Sequence, residues 1–131
     1  MSAAIEIEGL TKVYGDARAL DGVDLQVPEG SVFGFLGPNG AGKTTTINMI
    51  LGVLSPTGGT IRIEGVDIVE DRARALHRTN FAAVYAPLPG NLTVSQNLRF
   101  FGLLYEVGNL GERIDELLEA FDLGKMRNVK F

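Results

Sequence analysis

The residues Gly37-Pro38-Asn39-Gly40-Ala41-Gly42-Lys43-Thr44-Thr45-Thr46 fit the pattern G-x-x-x-x-G-K-[ST], the spacing of a loop that wraps a nucleotide's phosphates. Each residue type has a job in such a loop. Glycines let the backbone turn with its N–H groups facing inward. A helix starting near Lys43 would add the partial positive charge of its N-terminus. Lys43 would place its ammonium on the β- and γ-phosphates, and the Thr44 hydroxyl would be a ligand of Mg²⁺. The competing reading is a glycine-rich turn that happens to contain Lys-Thr. A cradle of this kind binds. Hydrolysis needs further groups, such as a carboxylate that polarises water.

The elements around the loop decide between those readings. Before it, Val32-Phe33-Gly34-Phe35-Leu36 is continuously apolar, as is Phe81-Ala82-Ala83-Val84, and such runs suit strands buried on both faces of a parallel sheet. After it, Ile47, Ile50, Leu51 and Leu54 follow helical spacing, which predicts a helix from about Lys43 to Leu51, closed by Gly52 and the turn Ser55 to Gly59. A phosphate loop belongs between such a strand and such a helix.

Elsewhere, Ile5 and Ile7 alternate with Glu6 and Glu8, Ile61 and Ile63 with Arg62 and Glu64, and Val23, Leu25 and Val27 with Asp24 and Gln26. These read as antiparallel strands with one wet face. Thr93 with Gln96 forms a capping box opening a helix on which Val94, Leu98, Phe101 and Tyr105 share a face. Ile114, Leu117, Leu118 and Phe121 mark another helix, acidic on its outer side through Glu112, Asp115, Glu116 and Glu119. Asp71 to His77 suits a short helix. No repeat, low-complexity tract or linker marks a domain boundary.

Composition bounds the rest. A chain of 131 residues with 45% hydrophobic and 21% charged residues suits one soluble globular domain, or part of a larger one. The net charge of −4 argues against nucleic acid as a main partner, because a phosphate backbone calls for clustered Lys and Arg. Without cysteine there are no disulfides or thiolate metal sites, which fits a reducing cytosol. The N-terminus lacks the pattern of a signal peptide, and no run approaches the ~20 apolar residues of a membrane span.

Tyr14-Gly15 followed by "ALDGVDLQVPEGSVFGFLGPNGAGKTTT" closely resembles the ATP-binding cassette family, the ATPase subunits of ABC transporters. The resemblance covers essentially the whole chain. It implies an α/β fold: a P-loop NTPase core of the ABC ATPase type, with an N-terminal antiparallel β layer and part of a helical subdomain. It also implies that Tyr14 stacks on adenine, whereas the residues alone suggest a strand-end tyrosine packing locally. The nucleotide-binding set is then Tyr14, Gly37, Pro38, Asn39, Gly40, Ala41, Gly42, Lys43, Thr44 and Thr45, with ATP and Mg²⁺ as cofactors.

"NLTVSQNLRFFGLLYEV", residues 91–107, resembles the helix that follows the family's glutamine loop, which touches Mg²⁺ and lies by the groove where a membrane subunit docks. Relatives carry a Gln roughly eight residues before the Leu-Thr-Val. This chain has Val84-Tyr85-Ala86-Pro87-Leu88-Pro89-Gly90 there, which puts the positioning of Mg²⁺ and water in doubt. Three motifs are decoys. Leu54 to Gly59 faintly resembles the LSGGQ signature but reads as a turn. Asp115-Glu116 lacks the apolar strand that precedes a Walker B pair. His77, the sole histidine, comes too early for the switch histidine.

In relatives the signature, the Walker B aspartate, the general-base glutamate and the switch histidine all lie later. The 131 residues are therefore expected to be a truncated, N-terminal portion of a nucleotide-binding domain. The resemblance implies the ATP-binding subunit of a transporter, peripheral on the cytoplasmic face of the membrane. Its partners would be membrane-spanning subunits and a second nucleotide-binding domain in a head-to-tail dimer. A soluble, non-transport cassette ATPase and a degenerate cassette that binds ATP without hydrolysis are the alternatives.

Overall fold

The computed structural model describes residues 2–83 and 88–130. The chain divides into two compact units, Met1–Phe81 and Ala82–Phe131.

The first unit is built on an antiparallel sheet. Strand β1 (Ala3–Tyr14) turns at Gly15-Asp16 into β2 (Ala17–Pro28), with Tyr14 paired to Ala17 at the tip. Helix α1 (Lys43–Ile50) follows, then β3 (Gly58–Ile63), the short β4 (Val66–Asp67) and helix α2 (Arg72–Leu76). The strand order is β2-β1-β3-β4. The alternating runs therefore form the antiparallel layer that their wet faces predict. Ile7 and Ile61, partners in register, are almost fully buried, while Arg62 on the opposite face pairs with Glu8 at 3.2 Å. Ile7, Leu10, Leu20, Met49, Ile61, Ile63, Ile68 and Ala75 make one core, drawing on the sheet, α1 and α2. The short helix forms as its sequence suggests, capped by the Asp71 carboxylate, which accepts from the Arg74 N–H.

Two expectations about apolar segments differ from the structure. Val32 to Leu36 is not a strand, and Val32 and Leu36 are exposed. A strand buried on both faces needs ladder partners, and among the described residues none pairs with this run: every described ladder is antiparallel and lies elsewhere. Residues 81–83 likewise form no strand, and Val84 lies outside the described residues. On α1 the buried side is Thr46 and Met49 with Ile50 beside them, whereas Ile47 faces out. The helix forms as its spacing predicts, and Thr46 goes inside because its hydroxyl is satisfied locally. Thr46 Oγ1 donates to the Gly42 carbonyl at 2.9 Å.

The second unit holds α3 (Val94–Leu104), α4 (Leu110–Ala120) and a 3₁₀ turn at Gly124–Met126. The capping box at the start of α3 is complete. Thr93 Oγ1 accepts from the Gln96 N–H, and Gln96 Oε1 accepts from the Thr93 N–H at 2.8 Å. Val94, Ile114 and Leu118 form the core, with Leu98, Leu110 and Leu123 packed on it. Gly102 lets the helices meet, since a Cβ there would collide with the Leu110 side chain. The shared faces are shorter than their spacing predicts. Tyr105 and Phe121, each at the C-terminal end of its helix, are exposed rather than part of this core. The acidic outer face of α4 is solvated as expected: Asp115 pairs with Arg127, and Glu116 with Arg113 at 2.9 Å. Among the described residues no helix is long and apolar enough to cross a membrane.

Candidate phosphate-binding site

Between β2 and α1 the chain runs through Gly37 to Gly42 in the conformation its glycines permit. Gly40 and Gly42 have φ of 84° and 86°, in the left-handed region that a Cβ disfavours. The Ala41 N–H donates to the Pro38 carbonyl at 3.2 Å, closing a turn inside the loop. Gly42 is also pressed against β2, where a Cβ would meet Leu20 Cδ2 at 2.5 Å and the Ala19 carbonyl at 3.0 Å. The end of the loop is thus seated on the hairpin that bears Tyr14.

Helix α1 begins at Lys43 with Gly42 as its cap residue, and no side chain caps it. The first N–H groups of a helix have no intrahelical acceptor, so those of Lys43, Thr44 and Thr45 form a donor-rich, partly positive end. No acidic residue occupies that first turn. The Lys43 side chain folds back over the loop, and its ammonium donates to the carbonyls of Gly37 and Pro38, both at 2.6 Å. Among the described residues no carboxylate pairs with it. A full positive charge is therefore held by neutral dipoles at the mouth of an uncapped helix, an arrangement that an anion would complete.

The Thr44 hydroxyl stands exposed in the same turn, beside the partly buried Thr45. Among the described residues no cluster of His, Asp or Glu could hold a metal unaided. One hydroxyl suits Mg²⁺, which keeps waters and takes phosphate oxygens alongside few protein ligands. Asn39 and Ala41 are exposed on the loop, and the Pro38 carbonyl accepts from Lys43, so residues 37–45 form one continuous loop leading into α1.

Tyr14 lies at the tip of the β1–β2 hairpin with its ring half exposed and outside the core of this unit. Lys12 Nζ sits 5.1 Å from the centre of the ring. Lys12 is not among the residues that the loop motif picks out. Residues two apart on a strand share a face, and that signal was available. The stretch 84–87, where a glutamine was sought, lies outside the described residues. The decoys keep their bland readings: residues 54–57 form the turn before β3, and His77 is exposed at the end of α2.

The family described as ABC transporter matches residues 20–131. This chain belongs to the ABC transporter family. Among its relatives, the daunorubicin/doxorubicin resistance ATP-binding protein DrrA of Streptomyces peucetius is 45% identical over 127 residues, covering 95% of this chain and 38% of the relative. The probable multidrug ABC transporter ATP-binding protein YbhF of Escherichia coli is 45% identical over 91% of the chain and 21% of its own length. The Nod factor export ATP-binding protein I of Cupriavidus metallidurans is 38% identical, over 91% of the chain and 40% of its own length. The chain thus spans well under half the length of these relatives. The solved structure of an ATP binding subunit of an ABC transporter superposes with a TM-score of 0.84 at 26% identity, covering 97% of this chain and 54% of the other. A second, the ADP conformation of an ATP-binding cassette, gives a TM-score of 0.76 at 28% identity, covering 99% and 57%. The cassette fold expected from the sequence is therefore the fold of its structural neighbours, and its loop belongs to an ATP-binding family.

Proposed function

We propose that the protein containing these residues is the ATP-binding subunit of an ABC transporter and couples ATP binding and hydrolysis to transport across a membrane. The observation that carries this reading is the Lys43 ammonium, turned over its own loop onto Gly37 and Pro38 without a carboxylate partner. In this reading the phosphates of ATP engage Lys43 and the N–H groups at the start of α1, while adenine stacks on Tyr14. Thr44 would hold Mg²⁺, which neutralises phosphate charge when bound. Residues 37–45 grip and orient the nucleotide. The carboxylate that polarises water is not among the residues that this loop brings together, so turnover requires groups from elsewhere in a complete cassette.

The partners proposed are membrane-spanning subunits and a second cassette arranged head to tail, with the protein on the cytoplasmic face. Relatives that are drug-resistance and Nod factor export ATP-binding proteins support outward transport. Affinity purification of the intact protein from solubilised membranes tests the assignment. The expected result is co-purification of a polytopic membrane protein and Mg²⁺-dependent phosphate release by the complex, abolished by Lys43→Ala. Recovery of an active ATPase with no membrane subunit would favour the soluble cassette instead.

A further inference from the structure

We propose that Lys12 is a positioning residue for the adenine platform: its ammonium covers one face of the Tyr14 ring and presents the opposite face to the purine. The inference rests on the reading of Tyr14 as the base-stacking residue and assigns a second residue to that subsite.

Three observations carry it. Lys12 Nζ lies 5.1 Å from the Tyr14 ring centre, within the range in which a ring's quadrupole attracts a cation. The same ammonium donates to the Ser55 carbonyl at 2.7 Å, so it is tethered rather than trailing in solvent. Among the described residues no carboxylate pairs with Lys12 and draws it away.

The tether links the base subsite to the phosphate subsite. Ser55 lies in the turn that joins α1 to β3, and two further hydrogen bonds fasten the end of β1 to that turn. The Thr57 N–H donates to the Thr11 carbonyl at 2.9 Å, and the Val13 N–H donates to Thr57 Oγ1 at 3.1 Å. Helix α1 carries Lys43 at one end and leads into this turn at the other. Lys12 therefore fixes the ring relative to the helix that holds the phosphates. With the ammonium over one face of the ring, the opposite face is the one left for a purine.

A double-substitution cycle on the intact protein tests this, read by equilibrium titration with ATP and with inorganic tripolyphosphate, which has no base. Lys12→Met keeps the length and loses the charge, and Lys12→Arg keeps the cation; Lys12→Gln repeats the neutral arm should the Met variant fold poorly. With Tyr14 present, Lys12→Met should weaken ATP about three- to tenfold, as expected for loss of a cation–ring contact. Lys12→Arg should restore affinity, and tripolyphosphate binding should stay the same throughout. In a Tyr14→Ala background, Lys12→Met should make no further difference. An equal loss without the ring, or an equal loss towards tripolyphosphate, would mean that Lys12 acts on phosphate or on the fold, and the proposal would be overturned. So would an unchanged ATP affinity in Lys12→Met alongside a loss in Tyr14→Ala. If Tyr14→Ala itself costs nothing, the platform reading fails first.

Discussion

Gly42 lies so close to Leu20 that a methyl group added to it would meet Leu20 Cδ2 at 2.5 Å. The contact joins the last residue before α1 to the strand that pairs with the end of β1, and so seats the phosphate loop on the hairpin that bears Tyr14. Because Gly42 also has a φ of 86°, any other residue there is both strained and crowded.

Gly42→Ala should therefore destabilise the folded cassette by about 1–3 kcal/mol, the scale of a non-glycine residue forced into that backbone region. Denaturant unfolding of the intact protein measures it, with nucleotide affinity recorded alongside. An unchanged unfolding midpoint together with unchanged affinity would show that the loop can rearrange around Leu20 without loss.

Tyr14→Ala should weaken ATP more than Tyr14→Phe does. Stacking uses the face of the ring and not its hydroxyl, and stacking of a base on an aromatic side chain is worth ~1–3 kcal/mol in nucleic-acid complexes. The comparison is a pair of ATP titrations. Equal losses would point to a hydrogen bond from the hydroxyl, and no loss in either variant to a tyrosine that merely ends a strand.

What the sequence made legible was what it specifies locally. The Thr93–Gln96 capping box needs only four consecutive residues and forms as written. The alternation of Ile5 and Ile7 with Glu6 and Glu8 needs one core to face, and β1 finds it. The turn from Gly37 to Gly42 is carried by glycine conformations and a helix start, both local, whereas its seat against Leu20 appears only in the fold. Val32 to Leu36 failed as a strand because its structure depends on ladder partners that the described residues do not supply. Spacing predicts the helix α1 but not that Thr46 goes inside, which follows from its hydroxyl finding the Gly42 carbonyl. The Lys12–Tyr14 contact was half legible: strand geometry puts the two side chains on one face, but the tether to Ser55 spans 43 residues and appears only in the fold.

The exposure of Val32 and Leu36 bears on how the 131 residues behave by themselves. Unpaired apolar segments of this kind promote association between molecules. Expressed alone, residues 1–131 should aggregate or melt without a sharp transition, and should release no phosphate from ATP above a Lys43→Ala control. Among the described residues no apolar strand ends in Asp-Glu, which is the reason for the second expectation. Turnover above the control, or a single cooperative melt from a monomer, would contradict both.

The loop from Gly37 to Thr45 is proposed as an ATP site whose charge comes from Lys43. The most direct measurement is an equilibrium titration of ATP, with Mg²⁺, into the intact protein and its Lys43→Ala variant, with a thermal melt to confirm that both are folded. Removing a charge paired with phosphate should lower the affinity by about tenfold or more while the melt is retained. Equal affinity in two equally folded proteins would contradict the account.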